Sequence, residues 1–414
     1  MAYAAKIDER EGLEEWGSFL GLRNNVDATS FGREDLVAAL NTDIDDAGSI
    51  GRRKGYSAPV TAAVDRSLWA SGSVCLGVGS NALKLVNPDY SLITLRSGLT
   101  PARPLSYAAV GDRVYYSNGA ELGCVQNGAN RTWGITPPGK PVLTAGSGTL
   151  AIGKYQVVVT WLRQDGQESG AGLAATLDLA ATGGLVLSSI PVSSDAAITH
   201  KVVYATSVGG GTLFRRGVIA NDVTTFSITD AQKDASPLLT HFLQPPPAGD
   251  HIAYWSGFML VASGARLYPS EPYAPELFDY RKAVPFLDAL AMVAPVKGGV
   301  WLGLGSQIVW MTGDTPETWD YKTAADYGVI PGTLWYADTG VLGDGKSTGN
   351  VAAFFASKHG LCVGTPGGQL INVTESRFAY PSMDRGAGVV RRHRGINQFV
   401  VSLEGAEVAA NVVA

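Results

Sequence analysis

The chain has 414 residues, 45% of them hydrophobic and 17% charged, so it is globular and long enough to bury a sizeable core. Its net charge is −5, with acids and bases spread along the chain, which argues against a dedicated DNA-binding surface of clustered Lys and Arg. No run of about 18 apolar residues marks a membrane span.

The N-terminal stretch MAYAAKIDEREGLEEW is charged too early for a signal peptide. Residues 1–35 read as an arm. Leu13, Trp16 and Leu20 are spaced for one face of a short helix, weakened by Gly12, Gly17 and Gly21. A second helix-like stretch is expected from Arg33 to Leu40, followed by a hairpin from Ala39 to Tyr56 that turns at Asp46-Ala47-Gly48. The hairpin is expected to close a ring beside the last repeat; the arm either shares that task or docks on a partner. Asp43-x-Asp45-x-x-Gly48 opens like a calcium loop. Ala47 at its fifth position and Lys54 at its twelfth favour a plain turn.

From residue 36 onward one pattern recurs: apolar strand, glycine turn, apolar strand. It appears around Gly79, Gly119, Gly264, Gly305, Gly360 and Gly405, which lie 40, 145, 41, 55 and 45 residues apart. Two copies align without a gap, Gly257 to Tyr280 and Gly298 to Tyr321. Both end in Pro-Glu-x-Phe/Trp-Asp-Tyr. The one long interval is bracketed by Pro137, Pro138 and Pro141 before it and Pro245 to Pro247 after it. Setting Lys140 to Gln244 aside brings that interval to 40 residues and restores the period. Units of 40 to 55 residues, each with β-hairpins, predict an all-β fold: a β-propeller of about six blades, with the set-aside segment inserted in it. The 51 glycines suit the many tight turns this requires.

The inserted segment reads as a β-sandwich of immunoglobulin or fibronectin type III-like kind. Tyr155, Val157, Val159 and Trp161 alternate in a strand, Asp165-Gly166 turns the chain, and further strands are expected at 185–187, 202–204, 214–219 and 224–228. The strand and turn TWLRQDGQESG loosely resemble fibronectin type III modules. The domains expected are therefore an arm (1–35), a first propeller part (36–139), the sandwich (140–244) and a second propeller part (245–414).

Several motifs touch on chemistry. Gly340 to Ser347 satisfies the P-loop pattern, but the strand-like run at Val351 to Ser357 and Gly349 oppose the helix a phosphate site needs. Gly77-x-Gly79-x-x-Ala82 is a repeat turn. Thr312-x-Asp314-x-Pro316-x-Thr318-Trp319 resembles the Asp-box of sialidase-type propellers, with proline where glycine is wanted, and speaks to fold. Glu271, Glu276, Asp314 and Glu317 are loop carboxylates that a glycosidase could use if paired; structural turn roles are favoured. The histidines (His200, His241, His251, His359, His393) have no metal or triad spacing, and no cofactor or metal is expected. Cys75, Cys124 and Cys362 are odd in number and read as buried small hydrophobes in a reducing compartment. Two basic knots, Arg52-Arg53-Lys54 and Arg391-Arg392-His393-Arg394, are solvated turns or ion pairs on the bland reading. On the sharper reading, Arg52, Arg53, Lys54, Arg391, Arg392 and Arg394 contact a subunit or DNA phosphates.

Gly21 to Ser57, with Ala39-x-Asn41-x-Asp43-x-Asp45, Gly48, Arg52-Arg53 and Gly55-Tyr56, resembles the opening of tail nozzle (tail tubular or head-completion) proteins of short-tailed bacteriophages. The segments Leu267 to Pro272 and Met311 to Pro316 also look like theirs. The resemblance covers about a quarter of the chain. It implies a propeller-based, non-enzymatic virion subunit assembled in the host cytoplasm. Six copies would ring the DNA channel below the portal connector, with the connector or adaptor protein, a distal fibre or needle, and the passing viral DNA as partners. A mild acidic charge suits a conduit along which DNA slides. The competing expectation is a glycan-binding or glycoside-hydrolysing propeller, favoured by the Asp-box-like turn and the sandwich.

Overall fold

A computed structural model describes residues 7–8, 13–14, 18–38, 42–45, 47–53, 64–231, 236–342, 348–374, 377, 383–393 and 396–404. Five antiparallel sheets follow one another along the chain, each a simple up-and-down meander with its first four strands in sequence order. Blade 1 is Arg66–Ser71, Val74–Gly79, Ala82–Val86 and Leu92–Arg96. Blade 2 is Ser106–Val110, Arg113–Ser117, Leu122–Gln126 and Ala129–Arg131. Blade 3 is His251–Trp255, Phe258–Ser263, Arg266–Glu271 and Ala274–Phe278, with Val284–Pro285 added against its third strand. Blade 4 is Leu290–Val296, Gly299–Leu304, Ile308–Thr312 and Asp320–Ala325. Blade 5 is Trp335–Asp338, Val351–Ser357, Gly360–Gly364 and Leu370–Asn372. The chain is an all-β, propeller-type fold.

Each repeat turn found in the sequence up to Gly360 joins the second and third strands of one blade. In blade 1 the turn itself is Ser80-Asn81, both at positive φ (52° and 56°). Two left-handed residues in a two-residue loop match the right-handed twist of the flanking strands. In blade 3, Gly264 supplies the positive φ (56°) directly. The unit expected around Gly405 is only partly visible. Asn397 to Glu404 lie in Ile396–Glu404, whose partner strand is Arg385–His393, and Gly405 lies outside the described residues.

The alternation of side chains along a strand builds the core between blades. In blade 2, Val114 and Tyr116 pack with Leu76 and Leu83 of blade 1, whereas Tyr115 and Cys124 point the other way, to Met259 and Phe278 of blade 3. Blade 4 does the same. Val300, Leu302 and Leu304 face blade 3, and Trp301 faces Phe355 and Cys362 of blade 5. Every residue of Gly299–Leu304 is buried, which explains why it reads as an unbroken apolar run. Truncating the wholly buried Trp301 to alanine would cost about 4 kcal/mol by analogy with other core aromatics. The first strands of blades 2 and 3 are joined by Ser106, whose Oγ accepts from the Ile252 amide (3.0 Å) and donates to its carbonyl (3.3 Å).

Beyond the five blades, two further hairpins, one from each end region of the chain, form two-stranded sheets of their own. The hairpin Arg385–His393/Ile396–Glu404 packs on blade 5 through Phe399 against Phe354 (ring centroids 5.7 Å apart) and the Gly386 amide on the Pro331 carbonyl (2.9 Å). The N-terminal hairpin pairs Thr42–Ile44 with Ile50–Arg52. Its turn matches the expected one: Gly48 has φ +79°, and the Asp45 carboxylate accepts from the amides of Ala47 and Ser49.

The strands between residues 142 and 228 form two sheets of their own. One is ordered Val142–Leu150, Gly183–Ser188, Phe226–Ile228. The other is ordered Ala175–Leu179, Gly153–Arg163, Ile198–Thr206, Leu213–Ala220. Tyr155, Val157 and Val159 fill the space between them with Leu150, Leu185, Leu187 and Val203. Trp161, next in the same alternation, packs against Ile135 and Ile198. Both roots of this sandwich rest on the outer strand of blade 3. The Trp133 indole donates to the Pro275 carbonyl (2.8 Å), and Gln244 exchanges two backbone hydrogen bonds with Phe278 (2.8 and 2.9 Å).

Two helical expectations fail. Leu13–Glu14 is a strand paired with Ile7–Asp8, Leu20 is exposed, and Trp16 lies outside the described residues. In the stretch expected to be helical from Arg33 to Leu40, Asp35–Leu36 pairs in parallel with Gly21–Leu22, while 39 and 40 lie outside the described residues. The reason is Asp35. Its carboxylate accepts from the Gly32 amide and from two arginines, and these bonds fix an extended backbone that helix propensity alone cannot outweigh.

Candidate functional site

The basic knots lead to the site. Arg53 binds the Asp43 carboxylate through Nε at 3.0 Å, and Arg391, 348 residues on, binds the same carboxylate through Nη2 at 3.0 and 3.1 Å. A few residues away the arrangement repeats. Asp35 takes Arg23 at 3.0 Å and Arg377 at 2.5 Å, and the Asn24 amide donates to the Arg377 carbonyl (3.0 Å). Each aspartate is thus held by one arginine from the N-terminal segment and one from the C-terminal part of the chain. For Asp43, burial works against the charged form, but the two guanidinium groups outweigh it and hold the carboxyl below its usual range. Asp35 is lowered chiefly by its hydrogen bond from Arg23.

Two of the six basic residues expected at a contact surface are therefore brought together, on a carboxylate of their own chain. Arg52 is exposed beside them. Lys54 and Arg394 lie outside the described residues, as does the side chain of Arg392. Asp43 lies on the first strand of the expected hairpin, and its carboxylate faces the two arginines. The carboxylates that hold these arginines were not singled out as a site, because nothing in a linear sequence links position 43 to position 391.

A second charged cluster sits where the sandwich meets the blades. Glu276, buried on the outer strand of blade 3, accepts from the Tyr115 hydroxyl (2.6 Å) and pairs with Arg113 of blade 2. Arg113 also reaches Asp165 at the sandwich turn (3.1 Å), which Arg163 grips through two nitrogens (2.9 and 2.8 Å). This Arg163 contact, before all others, lowers the Asp165 carboxyl to about 2. Burial first, and then the neighbouring Glu276, pushes the Tyr115 phenol well up.

The other candidate carboxylates are dispersed. Glu271 pairs with Lys282 (2.9 Å), while Asp314 and Glu317 are exposed around a short 3-10 turn, Pro316–Thr318. That turn is the Asp-box-like segment; it leads the buried Trp319 against Trp255 and Phe258 of blade 3. It supports the blade, as a turn of this kind should. Glu271 also lines a cleft of about 400 Å³ with Asp279, Arg281, His241, Phe242 and Leu239, between blade 3 and the sandwich. Arg281 lies over the Phe242 ring at 4.1 Å and binds Asp279.

The P-loop-like segment is the connection between the first two strands of blade 5. Asp338 there accepts from the amides of Gly340, Thr348 and Gly349, and residues 343–347 lie outside the described residues. Among the described residues no group of three His, Cys, Asp or Glu side chains is arranged to hold a metal, and no helix is long and apolar enough to cross a membrane. Cys124 and Cys362 are buried.

No family model matches this chain, and no curated protein matches it. Among solved structures it is similar to BBS1N in complex with ARL6DN (12% identity, 84% of this chain and 92% of that one, TM-score 0.34). It is also similar to a catalytically inactive virginiamycin B lyase from Staphylococcus aureus with quinupristin (8%, 84% and 94%, 0.29) and to a streptogramin B lyase (12%, 72% and 92%, 0.20). Likenesses this loose carry no argument about what the chain does.

Proposed function

We propose that this chain is a structural subunit of a phage tail nozzle. Copies of it ring the DNA channel below the portal connector and present a surface to the distal tail parts. The observation that supports this most is the location of the nozzle-like opening. Asp35, Asp43 and Arg53 all fall within residues 21–57, and they hold Arg377 and Arg391. The segment that carries the family resemblance therefore acts as a fastener. The charged clusters fit the same reading: Asp35, Asp43, Asp165 and Glu276 each meet arginine, an arrangement suited to holding parts together. The mild net negative charge lets DNA pass without being held.

The test is electron microscopy of the purified chain, together with its stoichiometry in purified particles. The expected result is a closed ring with an open centre, and near-stoichiometric ring amounts in the tail. A chain that stays monomeric at high concentration and is missing from particles would end this reading, as would tight, salt-sensitive binding of duplex DNA to the isolated protein.

A further inference from the structure

The N-terminal segment, residues 18–53, is attached in an unusual way. Among its described residues, none of the apolar side chains joins the hydrophobic clusters that hold the blades together. Leu20 (60% exposed), Val37 (54%) and Ile50 (45%) face outward. Its ties to the rest of the chain include the two matched ion-pair triads, Arg23–Asp35–Arg377 and Arg53–Asp43–Arg391. Side-chain ties of this kind do not depend on chain continuity: Arg377 and Arg391 of a second copy present the same guanidinium groups. A segment held by charge, with uncovered apolar residues, suits exchange between copies, a low-cost route to an oligomer.

We propose that residues 18–53 form an exchange arm. In the assembled ring its Asp35 and Asp43 bind Arg377 and Arg391 of the neighbouring copy, and Leu20, Val37 and Ile50 are covered there. The occupant of this surface is a second copy of the same chain. Two features specify it: the charge complementarity is self-contained, and the two triads follow one rule. This inference rests on the ring reading and names the contact that builds the ring.

Charge reversal with mixing tests it. In D43R the two positions carry like positive charge, and in R391D like negative charge, whether they meet within a chain or between identical chains. In an equimolar mixture, every contact between unlike chains regains opposite charges, while contacts within each chain stay repulsive. Mass photometry of D43R alone and R391D alone is expected to show association weakened at least about tenfold. The mixture should recover rings of alternating chains, and the double variant should recover them by itself.

If the mixture stays as weak as its components while the double variant recovers, the contact closes within one chain and the exchange proposal is wrong. Single variants that assemble like the wild type would also overturn it. A wild-type chain that never forms rings removes the ring reading itself, a distinguishable result. Circular dichroism checks that each variant folds, and the same mixing with D35R and R377D supplies an independent pair.

Discussion

The hydroxyl of Tyr115 and the carboxylate of Glu276 meet at 2.6 Å although 161 residues, including the whole inserted sandwich, separate them in the chain. The bond joins blade 2 to blade 3, and Arg113 completes it on the same oxygen. Removing Glu276 leaves the Tyr115 phenol without its acceptor in a largely buried place and the Arg113 guanidinium with Asp165 as its remaining carboxylate. E276A is expected to cost about 3 kcal/mol, and Tyr115→Phe about 2 kcal/mol. Urea unfolding checks both. A double variant that loses much less than the sum would show that the two act as one unit.

Acid should weaken the seam with the sandwich in a defined window. The folded Asp165 carboxyl, held chiefly by Arg163, sits at about 2 instead of 3.8. A depressed carboxyl contributes stability above its unfolded value, and that contribution is lost as pH falls from about 4 toward 2, for a total of about 2 kcal/mol. Asp35 and Asp43 are lowered too, so the fastener between the chain ends should loosen in the same direction. Thermal unfolding followed from pH 6 down to pH 2 measures the slope, and D165N should flatten it.

Backbone crowding at the same seam predicts a sharp glycine effect. A Cβ on Gly170 would overlap the Leu243 carbonyl oxygen and crowd Pro137 (3.3 Å). Backbone cannot step aside as a side chain can, so Gly170→Ala is expected to lose roughly 1–3 kcal/mol. Gly367→Ala, with nothing within 4 Å of the added carbon, serves as the neutral control. Equal melting temperatures for the two variants would contradict the packing of sandwich on linker.

The thiols should be silent in the folded protein. Burial pushes the Cys124 thiol up to about 12, and that of Cys75 upward as well. Since the thiolate is the reactive form, labelling at pH 8 should be slow at both positions and become fast in denaturant. Mass spectrometry after a brief pulse of iodoacetamide reads this directly.

The blades were legible because each central hairpin repeats one local pattern, and because setting aside 105 residues restored its period. The sandwich was legible from its alternation and turns. Less visible was how one motif can fold two ways. Pro275-Glu276 lies inside a strand and Asp279 caps the next turn through Arg281, whereas Pro316-Glu317 forms a 3-10 turn closed by Thr315 and Thr318. The difference lies in partners outside the motif, with Arg113 and Tyr115 on Glu276 and solvent around Glu317. The charged fastener was half legible. The basic knots stood out, but their shared acceptor, Asp43, belongs to a pattern that read as a turn, and tertiary pairing over 348 residues leaves no local signal.

The roots of the sandwich have one more consequence. Gly134 sits so close to Pro245 and Pro246 that a side chain there would strike both, and the two roots share the strand Ala274–Phe278. Chain leaving the ring and chain returning to it therefore stand side by side, like the two wires of a socket. The ring senses only that the circuit closes, so modules of quite different length or shape could be plugged in there while the blades keep their places.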